Sequence, residues 1–145
     1  MAKIRDIIQD KAPDTIGPEV TVLQAARRMT AGKVGALAVI EGDRLVGIFS
    51  ERDLMTRVVA EGRDPAATRV RDVMTQDLVV ADADETADAC LNRMKQLHVR
   101  HLPVVSNNKL VGMLSVRNLL MVVESAKEEE IRWLTDYVYY SPGRA

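Results

Sequence analysis

Leu45-Val46-Gly47-Ile48-Phe49-Ser50-Glu51-Arg52-Asp53-Leu54 and Leu110-Val111-Gly112-Met113-Leu114-Ser115-Val116-Arg117-Asn118-Leu119 are two copies of one stretch. Each is an apolar run, a serine, an Asp or Asn three residues on, and a second apolar run. The pattern predicts a strand that hands over to a helix, with Ser50 or Ser115 at the helix start. A helix start offers free backbone N–H groups and the positive end of the helix dipole, which favours anions and phosphates in particular. Arg52 and Arg117 add a full positive charge there, and Asp53 and Asn118 can accept hydrogen bonds from hydroxyls. A phosphate grip beside a hydroxyl acceptor points to a nucleotide. The same Ser-x-x-Asp spacing is also a capping box, which needs no ligand.

Working outward, the repeat extends well beyond these stretches. Gly47 recurs as Gly112, Met29 as Met94 and Ser50 as Ser115, always 65 positions on. From Val20 to Leu54 the copies align without a gap, and chance would not keep that register. Val22, Ala25, Ala26 and Met29 recur at helical spacing, with Thr21 or Glu19 near the start and Gly32 and Gly35 around the end. Ala87, Cys90, Leu91 and Met94 repeat that face. Leu37 to Ile40 and Leu45 to Phe49 are predicted strands joined by a hairpin at Glu41-Gly42-Asp43-Arg44. Leu102 to Val105 and Leu110 to Leu114 are their counterparts across Asn107-Asn108. Leu54, Val58 and Val59 are expected to continue as a helix after Ser50. Residues 4–8 read as one short helical turn, and Arg71-Asp72 echoes Arg5-Asp6.

The expected organisation is a first unit over 4–60, a linker over 61–69, a second unit over 70–124 and a C-terminal helix or tail over 125–145. The fold class is α/β in the α+β sense: two helix–strand–strand–helix units packed face to face through their sheets, with pseudo-two-fold symmetry. Each unit is too small to bury its own sheet, so the two are expected to share one core and to leave two related clefts at the seam. In the tail, Ile131, Leu134 and Val138 mark a helix face. Trp133, Tyr137, Tyr139 and Tyr140 leave two readings open there: docking on the chain's own domain, or a dimer contact.

The 145 residues suit one domain or two small ones. A net charge of −1 gives no global field favouring nucleic acid or an acidic membrane. Cys90 is the sole cysteine, which excludes an internal disulfide and a thiolate metal cluster. Met1-Ala2-Lys3-Ile4-Arg5-Asp6 lacks a secretory pattern, and no apolar run approaches the roughly 20 residues of a membrane span. A cytoplasmic location is expected.

The two repeated stretches, with Val70-Arg71-Asp72-Val73-Met74-Thr75 and Arg100-His101-Leu102-Pro103-Val104-Val105, make residues 4–123 resemble a tandem pair of cystathionine-β-synthase-type (CBS) domains, a Bateman module. That resemblance implies a two-unit module, commonly a flat homodimer, that binds adenosine-containing ligands in the clefts between units. The family's Ser/Thr-x-x-Asp motif falls on Ser50 and Asp53, which implies that Asp53 takes the ribose hydroxyls and that Ser50 and Arg52 lie by the ribose and phosphates. In the second unit it falls on Ser115 and Asn118, beside Arg117, and the neutral amide is the weaker acceptor. Arg100 and His101 fall on a phosphate-contacting position, where the first unit has Gly35-Ala36. Thr75, Leu78 and Val79 are candidates for an apolar adenine slot. The sites are therefore expected to be unequal, one richer in phosphate donors and the other holding the better ribose acceptor. The family implies AMP, ADP or ATP, and NAD as well.

Bland readings stand beside these. His98 and His101 straddle a helix end with no carboxylate cluster spaced to join them, so no metal is expected. Cys90 aligns with Ala25 on a buried face and reads as core, as do Met29 and Met94. No Gly-x-x-x-x-Gly-Lys loop is present to support nucleotide hydrolysis. The leading expectation is a non-catalytic adenine-nucleotide sensor that shifts geometry on binding and signals to a separate partner. The alternative is a ligand-independent dimerisation or assembly module. Asp53 is expected at a helix start, outside the core.

Overall fold

The computed structural model describes residues 2–8 and 12–140, without the side chains of 125–126, 130 and 133–140. Its elements are α1 (Ile4–Ile8), β1 (Thr15–Ile16), α2 (Val22–Gly32), β2 (Ala36–Glu41), β3 (Arg44–Ser50), α3 (Glu51–Asp53) widening into a π-helical turn (Leu54–Val59), α4 (Val70–Val73), β4 (Ala81–Asp82), α5 (Ala87–Leu97), β5 (His101–Ser106), β6 (Lys109–Ser115) and α6 (Val116–Tyr140).

The helices start and stop where side chains supply what the backbone lacks. Thr21 caps α2 with a full capping box: its hydroxyl accepts from Gln24 N at 3.2 Å, and its own N–H donates to Gln24 Oε1 at 2.9 Å. Val22, Ala25 and Met29 form the buried stripe, and the helix ends where Lys33 turns left-handed at φ 53°. Thr86 caps α5, Ala87, Cys90 and Met94 are its buried stripe, and His98 ends it at φ 54°.

Each unit holds a three-stranded sheet, ordered β1-β2-β3 and β4-β5-β6. The hairpins pair antiparallel, with Leu37 opposite Phe49 and Leu102 opposite Leu114. Asn107 and Asn108 both have positive φ, the geometry of the tight turn that matches strand twist. The parallel two-residue strands β1 and β4 carry too few residues for a period to show in the sequence, and they went unread there.

Burial differs from expectation in one respect. Each unit keeps its own buried cluster, one around Phe49, Leu37, Val39 and Val58, the other around Leu102, Leu114, Cys90 and Leu119. Reciprocal exchange makes this feasible for such small units. Ile4 of α1 lies in the second unit's cluster, and Val70 and Val73 of α4 lie in the first unit's. The backbone follows the same rule: Val22 N donates to Thr68 O and Val70 N to Val20 O, while Ala87 N donates to Ala2 O and Ile4 N to Glu85 O, all at 2.9–3.0 Å. The short helix ahead of each repeat thus completes the other repeat's core, and β3 and β6 meet between the units.

Two helices depart from the pattern predicted for them. Val59 is 65% exposed, because the π-helical turn rotates it off the buried face that Val58 keeps. The tail is no separate helix: α6 runs unbroken for 25 residues from the second motif. The side chains of Trp133, Tyr137, Tyr139 and Tyr140 lie outside the described residues, as do those of Leu134 and Val138.

Candidate functional site

A cleft of about 1150 Å³ opens between the units, somewhat larger than the roughly 300–1,000 Å³ of ordinary small-molecule sites. The second unit supplies one wall: Arg100 and His101 at the start of β5, then Ser115, Arg117 and Asn118 at the start of α6. Ile7 and Ile8 of α1 add an apolar surface, and the first unit adds Lys33, Gly35 and Glu51. The structure therefore brings together five of the predicted site residues. Ser50, Arg52, Asp53, Thr75, Leu78 and Val79 are not among the residues that line this cleft.

The α6 start is organised by its own side chains. Ser115 Oγ accepts from Asn118 N at 3.1 Å and donates to Asn118 Oδ1 at 2.6 Å; Ser115 N donates to the same oxygen at 3.4 Å. The amide oxygen expected to accept a ligand hydroxyl is thus committed to Ser115, and the amide that Asn118 leaves over is a donor. A hydroxyl would meet it as an acceptor. The first turn of a long helix also concentrates positive potential here. The side chains of Arg100, Arg117 and Lys33 have no hydrogen-bond or ion-pair partner among the described residues, so three cations from both units outnumber the Glu51 and Asp14 carboxylates that also line this cleft. Burial pushes the His101 imidazole below its ordinary range, against the pull of Glu51 and with the push of Arg100.

Close approach explains an asymmetry between the repeats. A Cβ on Gly35 would lie 3.1 Å from Glu51 Oε1 and 3.4 Å from His101 Cε1. The first unit has Gly35-Ala36 where the second has Arg100-His101, and this leaves the space that Glu51 and His101 fill. Glu51 N donates to Gly35 O and Val116 N to Arg100 O, both at 2.9 Å, so the backbones match even where the side chains diverge. The difference between Glu51 and Val116 had no reading in the sequence; the structure puts Glu51 on the cleft wall. Lys33, Ile7 and Ile8 were also missed. The repeat offered a cue for Lys33, because it aligns with His98, the equivalent helix end.

Around the first motif the structure corrects the sequence expectation. Asp53 is buried at 6% exposure, not outside the core. Its Oδ2 accepts from Ser50 N at 3.0 Å and Ser50 Oγ at 3.1 Å, and its Oδ1 accepts from Thr75 Oγ1 at 3.0 Å and lies 3.7 Å from Arg57 Nε. The segment after α4 folds over it. Arg52 crosses to the second unit and donates to His98 O at 3.3 Å, a cation on the carboxyl end of α5. Val79 packs on the second unit's cluster and Leu78 is half-buried. Among the described residues no group of three or more His, Cys, Asp and Glu side chains is placed to hold a metal ion, and no helix is long and apolar enough to cross a membrane.

The model of the CBS domain matches twice, over residues 4–60 and 70–125, in step with the repeat. The chain belongs to the CBS-domain family. It carries a tandem CBS pair and is similar throughout to other members. The mitochondrial CBS domain-containing protein CBSX3 of Arabidopsis thaliana is 29% identical over 93% of this chain and 71% of its own length. YhcV of Bacillus subtilis is 33% identical over 82% of this chain and 84% of its own. Of two longer Arabidopsis relatives this CBS pair spans only 22% and 21%. Among solved structures, a protein with CBS domains from Burkholderia ambifaria matches at TM-score 0.80 with 29% identity, over 86% of this chain and 95% of that one. A CBS domain pair in complex with 5′-methylthioadenosine and S-adenosyl-L-methionine matches at TM-score 0.77 over 87% of this chain and 98% of that one; at 20% identity it shows the fold.

Proposed function

We propose that this CBS pair is a regulatory, non-catalytic module that takes an adenosine-containing ligand in the cleft between its units and passes the change in geometry to a separate partner. The observation that carries the reading is the convergence of Arg100, Arg117 and Lys33, unpaired, on a cleft whose wall includes the start of α6. Phosphate would sit against that helix start and the guanidinium groups, a hydroxyl would meet the Asn118 amide, and Ile7 and Ile8 offer apolar surface for a base. AMP, ADP and ATP suit three free cations best. NAD carries the same groups. The solved pair that holds 5′-methylthioadenosine and S-adenosylmethionine supports an adenosine compound as the class.

The test is calorimetry with AMP, ADP, ATP, NAD, 5′-methylthioadenosine and S-adenosylmethionine. A ligand at ~100 times its Kd should stabilise the fold by about 2.7 kcal/mol. Arg100→Ala should weaken ATP more than adenosine, and equal losses would contradict a phosphate contact. The assembly reading has one observation in its favour: Met55 and Val59, and the homologous helix's Leu120 and Met121, are large apolar side chains at 49–65% exposure. A homodimer in sedimentation with no heat from any ligand would favour it.

A further inference from the structure

The two motif copies match in sequence at Ser50/Ser115 and Arg52/Arg117, yet their bonding among the described residues differs. The Asn118 side chain is exposed and, among the described residues, bonds to Ser115. Asp53 is buried, and both its oxygens are engaged by Ser50, Thr75 and Arg57. Arg57 also donates to Met74 O at 3.0 Å and Val73 O at 3.4 Å, the carbonyls at the end of α4. It does so from the π-helical turn; the aligned stretch of the second unit is regular α-helix, with Val122 in place of Arg57. Beside this cluster, Thr75 and Ile48 exchange two backbone hydrogen bonds of 2.9 Å.

We infer that the first motif has become a tie: Asp53, Arg57 and Thr75 together pin the chain segment that joins the units, and the module therefore holds one ligand per chain, in the cleft walled by Ser115 and Arg117. The inference rests on the ligand reading for the site that it leaves vacant for binding, and on side-chain bonding alone for the site that it removes. Of the roughly four acceptor positions of a carboxylate, Ser50 takes two and Thr75 one, which leaves too few for two ribose hydroxyls unless Thr75 is displaced, and displacing it frees the segment after α4. Asp53 is in this sense a positioning residue. It acts on the end of α4 and the segment that follows, so that segment holds its place whether or not the other cleft is filled.

Two measurements on the full chain decide it. The first is titration of wild type and Arg57→Met with each nucleotide of the panel. Expected are one ligand per chain in both proteins and affinities within about two-fold, with Arg117→Ala losing ten-fold or more. Two ligands per chain, or loss of binding in Arg57→Met, overturns the inference. The second is amide hydrogen exchange on ligand-free wild type, Arg57→Met and Asp53→Asn. Protection at the Ile48 and Thr75 amides should fall at least ten-fold in both variants while the Ser115–Asn118 amides hold theirs; unchanged protection at Thr75 overturns the tie. If wild type takes none of the nucleotides, the functional reading fails and the one-ligand claim falls with it, while the exchange result still judges the tie.

Discussion

Gly47→Ala tests how closely Met74-Thr75, the stretch linking α4 to the second unit, lies on the first sheet. A Cβ built there would stand 2.6 Å from Met74 Sδ and 3.0 Å from the Thr75 carbonyl oxygen. Met74 is buried, so its sulfur has little room to swing away. The Thr75 oxygen accepts from Ile48 N, and Thr75 N donates to Ile48 O, both at 2.9 Å. Relief requires this stretch to lift, which weakens two backbone bonds worth about 1 kcal/mol each, or the sheet to strain; overpacking of this kind costs about 1–3 kcal/mol. The two routes agree on a loss of about 2 kcal/mol. Gly112→Ala is the internal control. Its Cβ would meet Ile8 Cδ1 at 2.9 Å and Ile8 Cβ and Cγ2 at 3.3 Å, and these three nearest atoms all belong to a side chain. The far end of an isoleucine can turn aside, so about 1 kcal/mol is expected. Urea unfolding measures both losses, and in thermal unfolding near this size each kcal/mol moves Tm by about 4 °C, so Gly47→Ala should melt roughly 8 °C early. If Gly47→Ala falls within about 0.5 kcal/mol of wild type, or if Gly112→Ala is the more damaging, Met74-Thr75 does not bear on Gly47 as described.

Thr21→Ala removes the hydroxyl half of the α2 capping box and should cost about 1 kcal/mol by chemical denaturation. Arg93→Ala leaves Glu85, half-buried and bonded to Arg93 through both oxygens, without its guanidinium, at a cost of about 1–2 kcal/mol near neutral pH. Because Arg93 holds the Glu85 carboxyl below its usual range, the pair contributes while Glu85 is ionised. The difference between variant and wild type should therefore shrink as pH falls through the carboxylate range, and a difference flat from pH 7 to 3 would refute the pairing. His101 is displaced downward by burial, so the unfolded chain takes the proton first as pH falls. Stability should drop below about pH 6.5, the ordinary imidazole value. His101→Gln should flatten that part of the profile, and an unaltered profile would show that His101 is not the group responsible.

The repeat, the strand-to-helix handover, the helix faces and the caps were all legible, because each is set by contacts within a few residues: an apolar period, a Thr21 with Gln24 three residues on, a pair of asparagines at a tight turn. Register made the two-unit architecture legible as well, since 65-residue spacing held through helix, hairpin and motif alike. The residues that resemble a nucleotide site could be named, but not sorted. Arg100, His101, Ser115, Arg117 and Asn118 share one cleft, whereas Asp53 and Thr75 bond to each other away from it. Chemically, Asp53 is the better hydroxyl acceptor of the two motif positions; its burial beside Thr75 and Arg57 is a tertiary outcome that the motif does not announce.

The amino-acid sequence by itself determined the local elements, the duplication and the family, because backbone hydrogen bonding and side-chain period act over short spans and are written residue by residue. Tertiary structure alone decided that α1 completes the second core and α4 the first, that Arg52 ends up on the far unit's helix, and that Arg100, Arg117 and Lys33 gather around one cleft without a side-chain partner among the described residues. Those outcomes depend on which surfaces meet after the units close, and contacts between residues tens of positions apart leave no periodic trace in the chain.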